Sequence, residues 1–346
     1  MPEKLPEEKR IIETKILPEF AGKRLDHYLA DRFTYRSRTQ WQEAVSRGEL
    51  LVNGRLVRSS RVLHAGEILA FVPDESTLEE PEADLTCTLL LDEKDFLAVS
   101  KSGNLPVHPS GRFFNHTLLK VVEKDFGKVY PVNRLDRETS GVTLFAKDPQ
   151  TAKKLSLLFE KRLTEKKYTA IVHGSFPEKD LVLSGILVPD EKSPVHKKRR
   201  FIPDEKSLAL LRESPGFDKK RSFRKSPAEG EYCLTKFHLV KSDGKMSIVE
   251  VSPETGRLHQ IRAVLCSLGY PLAGDKLYGL DDTFFLKYTG GTLSEEDKKR
   301  LLLPRQALHA SELSFLFPGE KEKITVKAPL PADLSGLYNG IMSAIL

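Results

Sequence analysis

Arg134 and Asp136 stand two residues apart in the stretch PVNRLDRETSGVTLFAK, residues 131–147. Side chains two apart on an extended segment share a face, so a guanidinium and a carboxylate would point the same way. Thr139-Ser140-Gly141 follows at once and reads as a turn, with Gly141 supplying conformational freedom. Val142, Leu144 and Ala146 then alternate with Thr143, Phe145 and Lys147, which is the period of a strand. A carboxylate at a strand end, beside a guanidinium and a tight turn, can aim one acid at a substrate. The plainer alternative is a surface ion pair, contributing roughly 0–1 kcal/mol. The spacing alone does not choose between them.

The chain that must position these residues has 346 residues, room for two or three domains of which one has a large core. Lys and Arg number 55 against 49 Asp and Glu, a net charge of +6 that favours a polyanionic partner such as nucleic acid. Cys87, Cys233 and Cys266 are scattered and odd in number, with no Cys-x-x-Cys or Cys/His ligand spacing. That usage suits a reducing cytosol and argues against a metal site. The opening MPEKLPEEKRIIETK is neither a secretory signal nor an acid-poor transit peptide, and no apolar run approaches membrane-spanning length. The expectation is a cytoplasmic monomer without a membrane partner. No Walker loop or dinucleotide glycine fingerprint occurs, so no cofactor is expected.

In chain order, residues 1–22 read as a charged lead-in with a short strand around Thr14 to Leu17. Leu25, Tyr28 and Leu29 fall at helical spacing. Arg36-Ser37-Arg38 opens a second helix with Trp41, Ala44 and Val45 as its apolar face and Gly48 as its stop. Leu50-Leu51-Val52 and Arg55-Leu56-Val57 flank an Asn53-Gly54 hairpin turn. This part, residues 23–75, carries nine Lys/Arg against four Asp/Glu between Lys23 and Arg61. Residues 76–84 read as an acidic linker. A second domain over 85–331 opens with strands around Thr88 to Leu91 and Phe96 to Val99. Leu118, Leu119 and Val122 mark a helix, and Asp148-Pro149 starts another. Tyr168 to Val172, Cys233 to Val240 and Met246 to Val251 read as strands; a tyrosine in a strand is ordinarily core. Residues 190–231 form a basic insertion, with twelve Lys/Arg and six Asp/Glu between Glu191 and Gly230. It is either a segment that orders on RNA or a solvated insertion. Ile261, Val264, Leu265 and Leu268 fit a helix face closed by Gly269. Residues 332–346 are left as a C-terminal tail.

The string Asn133-Arg134-Leu135-Asp136, Thr139-Ser140-Gly141, Ala146-Lys147 resembles the catalytic motif of RluA-type pseudouridine synthases, with Asn133 where His is commoner. Further strings follow in that family's order. Lys166-Lys167-Tyr168 matches its Lys-x-Tyr pattern. TGRLHQIRAVLCSLGYPLAGDKLYG, residues 255–279, matches T-G-R-x-H-Q-I-R and G-D-x-x-Y-G, with Leu258, Ala263 and Val264 replacing commoner residues. Arg305 to Ala310 matches the family's terminal strand. Residues 23–72 are similar to the RNA-binding module first described in ribosomal protein S-four. The resemblance implies an α+β fold: a mixed, mostly antiparallel sheet with flanking helices, preceded by a small α/β RNA-binding module. It implies that Asp136 is the nucleophilic carboxylate, paired with Arg262, and that Tyr168 lies over the target base with Ile261 beneath it. Arg134 would help fill the space the base vacates. Thr139, Ser140 and Gly141 complete the motif, Arg257, His259 and Gln260 would hold the site or the RNA backbone, and Arg36, Arg38 and Arg47 would face RNA phosphates. The implied activity is isomerisation of uridine to pseudouridine without cofactor or metal, with large-subunit ribosomal RNA as the substrate. Two rivals stand beside it: a non-catalytic ribosome-assembly factor on the same fold, and a glycoside or nucleoside hydrolase, which commonly needs two paired carboxylates.

Overall fold

The computed structural model describes residues 11–33, 36–72, 80–178, 180–195, 197–212, 230–281 and 283–344. They divide into two compact units, the first reaching Pro81 and including Ser110–Phe114, the second taking the rest.

In the first unit, β1 (Ile12–Lys15), β2 (Leu50–Val52), β3 (Arg55–Leu56) and β4 (Ile68–Phe71) form an antiparallel sheet in the order β1-β4-β2-β3. Helices α1 (Leu25–Arg32) and α2 (Arg38–Ser46) cover it. Ser37 caps α2 by accepting from the Gln40 amide, and Gln40 reaches back to the Ser37 amide, which satisfies two otherwise orphan donors. Trp41, Ala44 and Val45 are buried as their spacing requires. Asn53 and Gly54 both take positive φ, the geometry of the tight hairpin turn. The strand expected at Thr14 lies at Ile12–Lys15 and pairs with β4, so this part of the lead-in belongs to the sheet, with Ile16 fully buried behind it.

The second unit is built on an eleven-stranded sheet. Its strands are β5 (Cys87–Asp92), β6 (Phe96–Lys101), β7 (Tyr130–Pro131), β8 (Ser140–Ala146), β9 (Thr164–His173), β10 (Leu181–Pro189), β11 (Arg199–Pro203), β12 (Glu231–Ser242), β13 (Met246–Pro253), β14 (Leu308–Leu316) and β15 (Lys323–Lys327). The main path runs β11-β10-β12-β13-β9-β14-β8-β6-β5. Only the β14–β8 pairing is parallel among these. The helices are α3 (Leu118–Phe126), α4 (Pro149–Glu160), α5 (Glu205–Leu211), α6 (Gln260–Leu268), α7 (Thr283–Thr289), α8 (Glu295–Leu301) and α9 (Ala332–Ser343). Asp148 caps α4 through the Gln150 and Thr151 amides with Pro149 in the first turn. Gly269 closes α6 at φ 83°. All seven residues of β8 are buried, so the strand is covered on both faces rather than one.

Three expectations need correction. Gly141 is not in a turn; it lies inside β8, and the turn falls just before it, where the Thr139 amide donates to the Asp136 carbonyl. Glycine is required there by contact: a Cβ would sit 2.1 Å from the Ala310 carbonyl oxygen, at φ +115°. Gly141→Ala should therefore cost roughly 1–3 kcal/mol in backbone strain alone, and a thermal melt should fall by roughly 2–10 °C. An unchanged midpoint would mean that β8 and β14 are not pressed together as described. The basic insertion is not all loop: β11 pairs with β10, and Phe201 and Leu211 join the core through β11 and α5. Residues 213–229 of the insertion lie outside the described residues, as do residues 1–10 of the lead-in and 76–79 of the acidic linker. The C-terminal segment is a helix, α9, which buries Leu334 and Ile341.

Candidate active site

A cleft of about 520 Å³ opens in the second unit, a size common for small-ligand sites, roughly 300–1,000 Å³. Arg134, Asp136, Thr139, Tyr168, Arg257, His259, Gln260, Ile261 and Arg262 all line it. They come from the loop before β8, from β9, and from the start of α6.

The centre is one guanidinium shared by two carboxylates. Arg262 Nη1 donates to Asp136 Oδ2 at 2.9 Å. Its Nε and Nη2 donate to the two oxygens of Asp275 at 2.7 and 2.9 Å. Asp275 is fully buried, and its Oδ1 also accepts from the Leu277 and Tyr278 amides. The Tyr278 ring lies 4.9 Å from the guanidinium carbon, a cation–π contact. Arg262 is thus fixed from behind by Asp275 and Tyr278 and presents its remaining edge to Asp136. Burial favours the neutral form of Asp136, but the Arg262 charge and hydrogen bond outweigh it and hold the carboxyl below the usual aspartate range. Burial pushes His259 down to about 4, reinforced by Arg262, so its imidazole is neutral at pH 7. Burial, and then the nearby Asp136 charge, raise the Tyr168 phenol above its ordinary value, so it stays protonated.

The loop carrying Asp136 is pinned on every side. Asn133 donates to the Val142 carbonyl and accepts from the Leu144 amide, clasping the backbone of β8; the departure from His at this position therefore supplies an anchor. Lys101 is buried and its Nζ donates to the carbonyls of Ser102, Leu105 and Arg137. Gln306 donates to Thr139 Oγ1 at 2.6 Å. Arg305 donates to the Glu138 carbonyl and to Ser140 Oγ, which also bonds His309 Nδ1 at 2.9 Å. Ser140 and Gly141 thus sit behind the cleft, not in it. Gln260 is equally structural: its oxygen accepts from Thr255 Oγ1 and the Arg257 amide, and its nitrogen donates to Leu234 and Thr235. His259 enters α6 at φ 57°, and its Nδ1 lies 3.0 Å from the Tyr278 hydroxyl. Arg257 donates to the Tyr232 carbonyl, and Arg134 is exposed at the rim.

Arg36, Arg38 and Arg47 lie in the first unit and are all in ion pairs. Arg36 turns inward onto Trp41 and Phe71 and bonds Glu49, leaving its side chain 11 % exposed. The buried Glu49 carboxylate needs that charge, which is why Arg36 does not face outward. Arg47 also bonds Glu49, and Arg38 bonds the buried Asp26; these two remain about half exposed.

Sequence reasoning missed Asp275, although it quoted the G-D-x-x-Y-G string containing it. The aspartate's partner lies on another element, so no local spacing announces the pair. Arg305, Gln306 and His309 likewise meet partners on distant elements, which no local spacing announces.

The family described as RNA pseudouridylate synthase matches residues 95–267. An uncharacterized RNA pseudouridine synthase of Chlorobaculum parvum is 32 % identical over 90 % of this chain and 91 % of its own length. The Bacillus subtilis protein named uncharacterized RNA pseudouridine synthase YlyB is 27 % identical over 93 % and 95 %. The mitochondrial tRNA pseudouridine(32) synthase of Saccharomyces cerevisiae is 28 % identical over 76 % of this chain and 52 % of its own. Among solved structures, human RNA pseudouridylate synthase domain containing 4 shares the fold at a TM-score of 0.56, with 24 % identity over 74 % of this chain and 93 % of that one.

Proposed function

The chain belongs to the RluA-type RNA pseudouridine synthases, isomerases of uridine in RNA, and from that premise we propose that Asp136 is the carboxylate that acts on the target nucleotide, within large-subunit ribosomal RNA. The observation that carries the assignment is the Arg262–Asp136 contact at 2.9 Å inside the cleft. Isomerisation breaks the bond between N1 and the ribose, turns the uracil, and joins its carbon five to the same ribose carbon. N1 gains a proton and carbon five gives one up, so no outside group is consumed. A carboxylate kept ionised suits the first of these steps. Tyr168 covers the base from β9 and Ile261 packs beneath it. Arg134 at the rim occupies the space the nucleotide leaves in its stack, and Arg257 meets the RNA backbone. Flipping the uridine out costs a few kcal/mol and is easiest in loops.

Asp136 and His259 both complete their titration well below neutrality. Turnover should therefore stay level from about pH 5 to 8 as far as these groups are concerned. A limb near pH 6.5, the ordinary imidazole value, would contradict a neutral His259.

The ribosomal assignment is supported by the first unit, whose two helices and Asn53-Gly54 hairpin agree with the resemblance to the S-four module. Arg38 and Arg47 keep enough exposure to add phosphate contacts. The yeast relative is named for transfer RNA, so the test must read both classes. A transcriptome-wide pseudouridine map of wild type and a deletion should lose one or a few large-subunit positions. Loss confined to transfer RNA would overturn the substrate and keep the enzyme; an unchanged map with defective ribosome assembly would favour a binding factor.

A further inference from the structure

Helix α4 closes on an arginine at a position that suits glycine. The Arg162 amide donates to the Phe159 carbonyl at 3.1 Å and the Leu163 amide to the Leu158 carbonyl at 2.8 Å, the paired bonds of a Schellman motif. That motif needs a left-handed residue, and Arg162 supplies it at φ 57°. Glycine takes this conformation without steric cost, whereas a Cβ crowds the following carbonyl. Backbone strain retained beside a cleft points to a use for the side chain. The Arg162 side chain is exposed and lines the cleft, with its guanidinium carbon 5.9 Å from the Tyr232 ring centroid. Arg257, from the loop before α6, lines the same cleft and donates from Nε to the Tyr232 carbonyl at 3.2 Å. Lys166, on β9, lines it as well, with Nζ 3.5 Å from the Thr255 carbonyl. Three cations from three elements thus converge around Tyr232 and the segment 255–257. Neither Arg162 nor Lys166 forms an ion pair among the described residues, and Arg257 reaches Glu231 at 3.7 Å. Glu160 lines the same cleft and pairs with none of the three. Like charges gathered without matching carboxylates repel one another, a cost that a bound anion removes. Lys166 and Tyr168 stand two apart on β9 and share a face, roughly 7 Å along the strand. The cations therefore lie next to the place where the base would sit.

We propose that Arg162 and Lys166, together with Arg257, form a phosphate site that holds the RNA backbone beside the target uridine, and that Arg162 keeps its left-handed conformation for that contact. The site rests on the reading of the cleft as the place where RNA is modified. It positions the strand and reads no base, since phosphate contacts fix register without specifying sequence.

The test uses full-length protein carrying Asp136→Asn, so that binding is read without turnover, and an RNA stem-loop with a uridine-rich loop as the probe. Affinity is measured across a salt series, beside a thermal melt of each variant. Each single-strand phosphate contact contributes about 0.7 to the slope of log affinity against log salt. Arg162→Gly should lower that slope by about 0.7, and Arg162→Gly with Lys166→Gln by about 1.4. Arg162→Lys should keep it, because the charge remains. The melting midpoint of Arg162→Gly should hold or rise, because the left-handed strain is gone. An arginine kept only for the helix end would give the reverse, a lower midpoint with the slope unchanged, and that result overturns the site. An unchanged slope in the double variant overturns it too, as does an equal loss in Arg162→Lys. A lowered slope in a protein whose wild type forms no pseudouridine in ribosomal or transfer RNA would uphold the phosphate site and overturn the reading of the cleft. An unchanged slope in an active enzyme would overturn the site alone.

Discussion

Asp136→Asn should abolish pseudouridine formation while RNA binding and the fold persist. Asparagine keeps the shape and one oxygen that can still accept from Arg262 Nη1, now 2.9 Å away. What it loses is the charge, and with it, on the proposed assignment, the means to act on the ribose or the base. Removing the acting group of a catalytic unit typically lowers turnover by about 10⁴-fold or more. The stability cost should be small, about 1 kcal/mol or less, because Asp136 is partly solvated, at 26 % side-chain exposure, and repels the buried Asp275. Single-turnover rates on a modified-site transcript, beside a urea melt, separate the two effects. Residual activity within tenfold of wild type would remove Asp136 from the chemistry.

Asp275→Ala should unfold the site from behind. Arg262 would keep Asp136 and the Tyr278 ring but lose both bonds of its bidentate partner. A guanidinium this buried, left short of acceptors, costs about 3–5 kcal/mol. The Leu277 and Tyr278 amides would lose their acceptor at the same time. Arg262 would then be free to move off Asp136, so turnover should fall along with stability. The pH dependence has a definite sign. Burial opposes ionisation of Asp275, but the Arg262 charge and hydrogen bonds prevail and depress its pKa. Its stabilising contribution is therefore complete above the unfolded aspartate value near 3.9 and is lost as pH falls through the lower folded value. Urea melts at neutral pH should show the full loss for Asp275→Ala. A deficit below about 1 kcal/mol would mean that Asp136 and the Tyr278 ring together suffice to hold the arginine.

What the sequence discloses here follows from how local each feature is. The α6 face was legible because Ile261, Val264, Leu265 and Leu268 repeat at helical spacing, and all four are buried. Strand β8 was legible from alternation, but its two-sided burial was not, since that depends on which elements come to cover it. Gly141 looked like a turn residue because its neighbours are Thr and Ser; its constraint comes from Ala310, brought close only by the parallel pairing of β8 with β14. The Arg262–Asp136 pairing came from family resemblance and not from spacing, and Asp275 behind it had no local signal. Helix α9 was missed although Leu334, Leu337 and Ile341 keep helical spacing; Gly336 and Gly340 masked it. In the first unit, the resemblance implied arginines facing RNA phosphates, yet Arg36 is drawn in by a buried glutamate that no local spacing reveals.

The most direct test of the central claim is tritium release from RNA transcribed with uridine labelled at carbon five. Joining carbon five to the ribose expels its hydrogen to water. Wild-type protein should release tritium from the target uridine with the RNA chain intact, and Asp136→Asn should release none. Free uracil still carrying its tritium would show glycosidic hydrolysis instead, and no release by the wild type from ribosomal or transfer RNA would contradict the account.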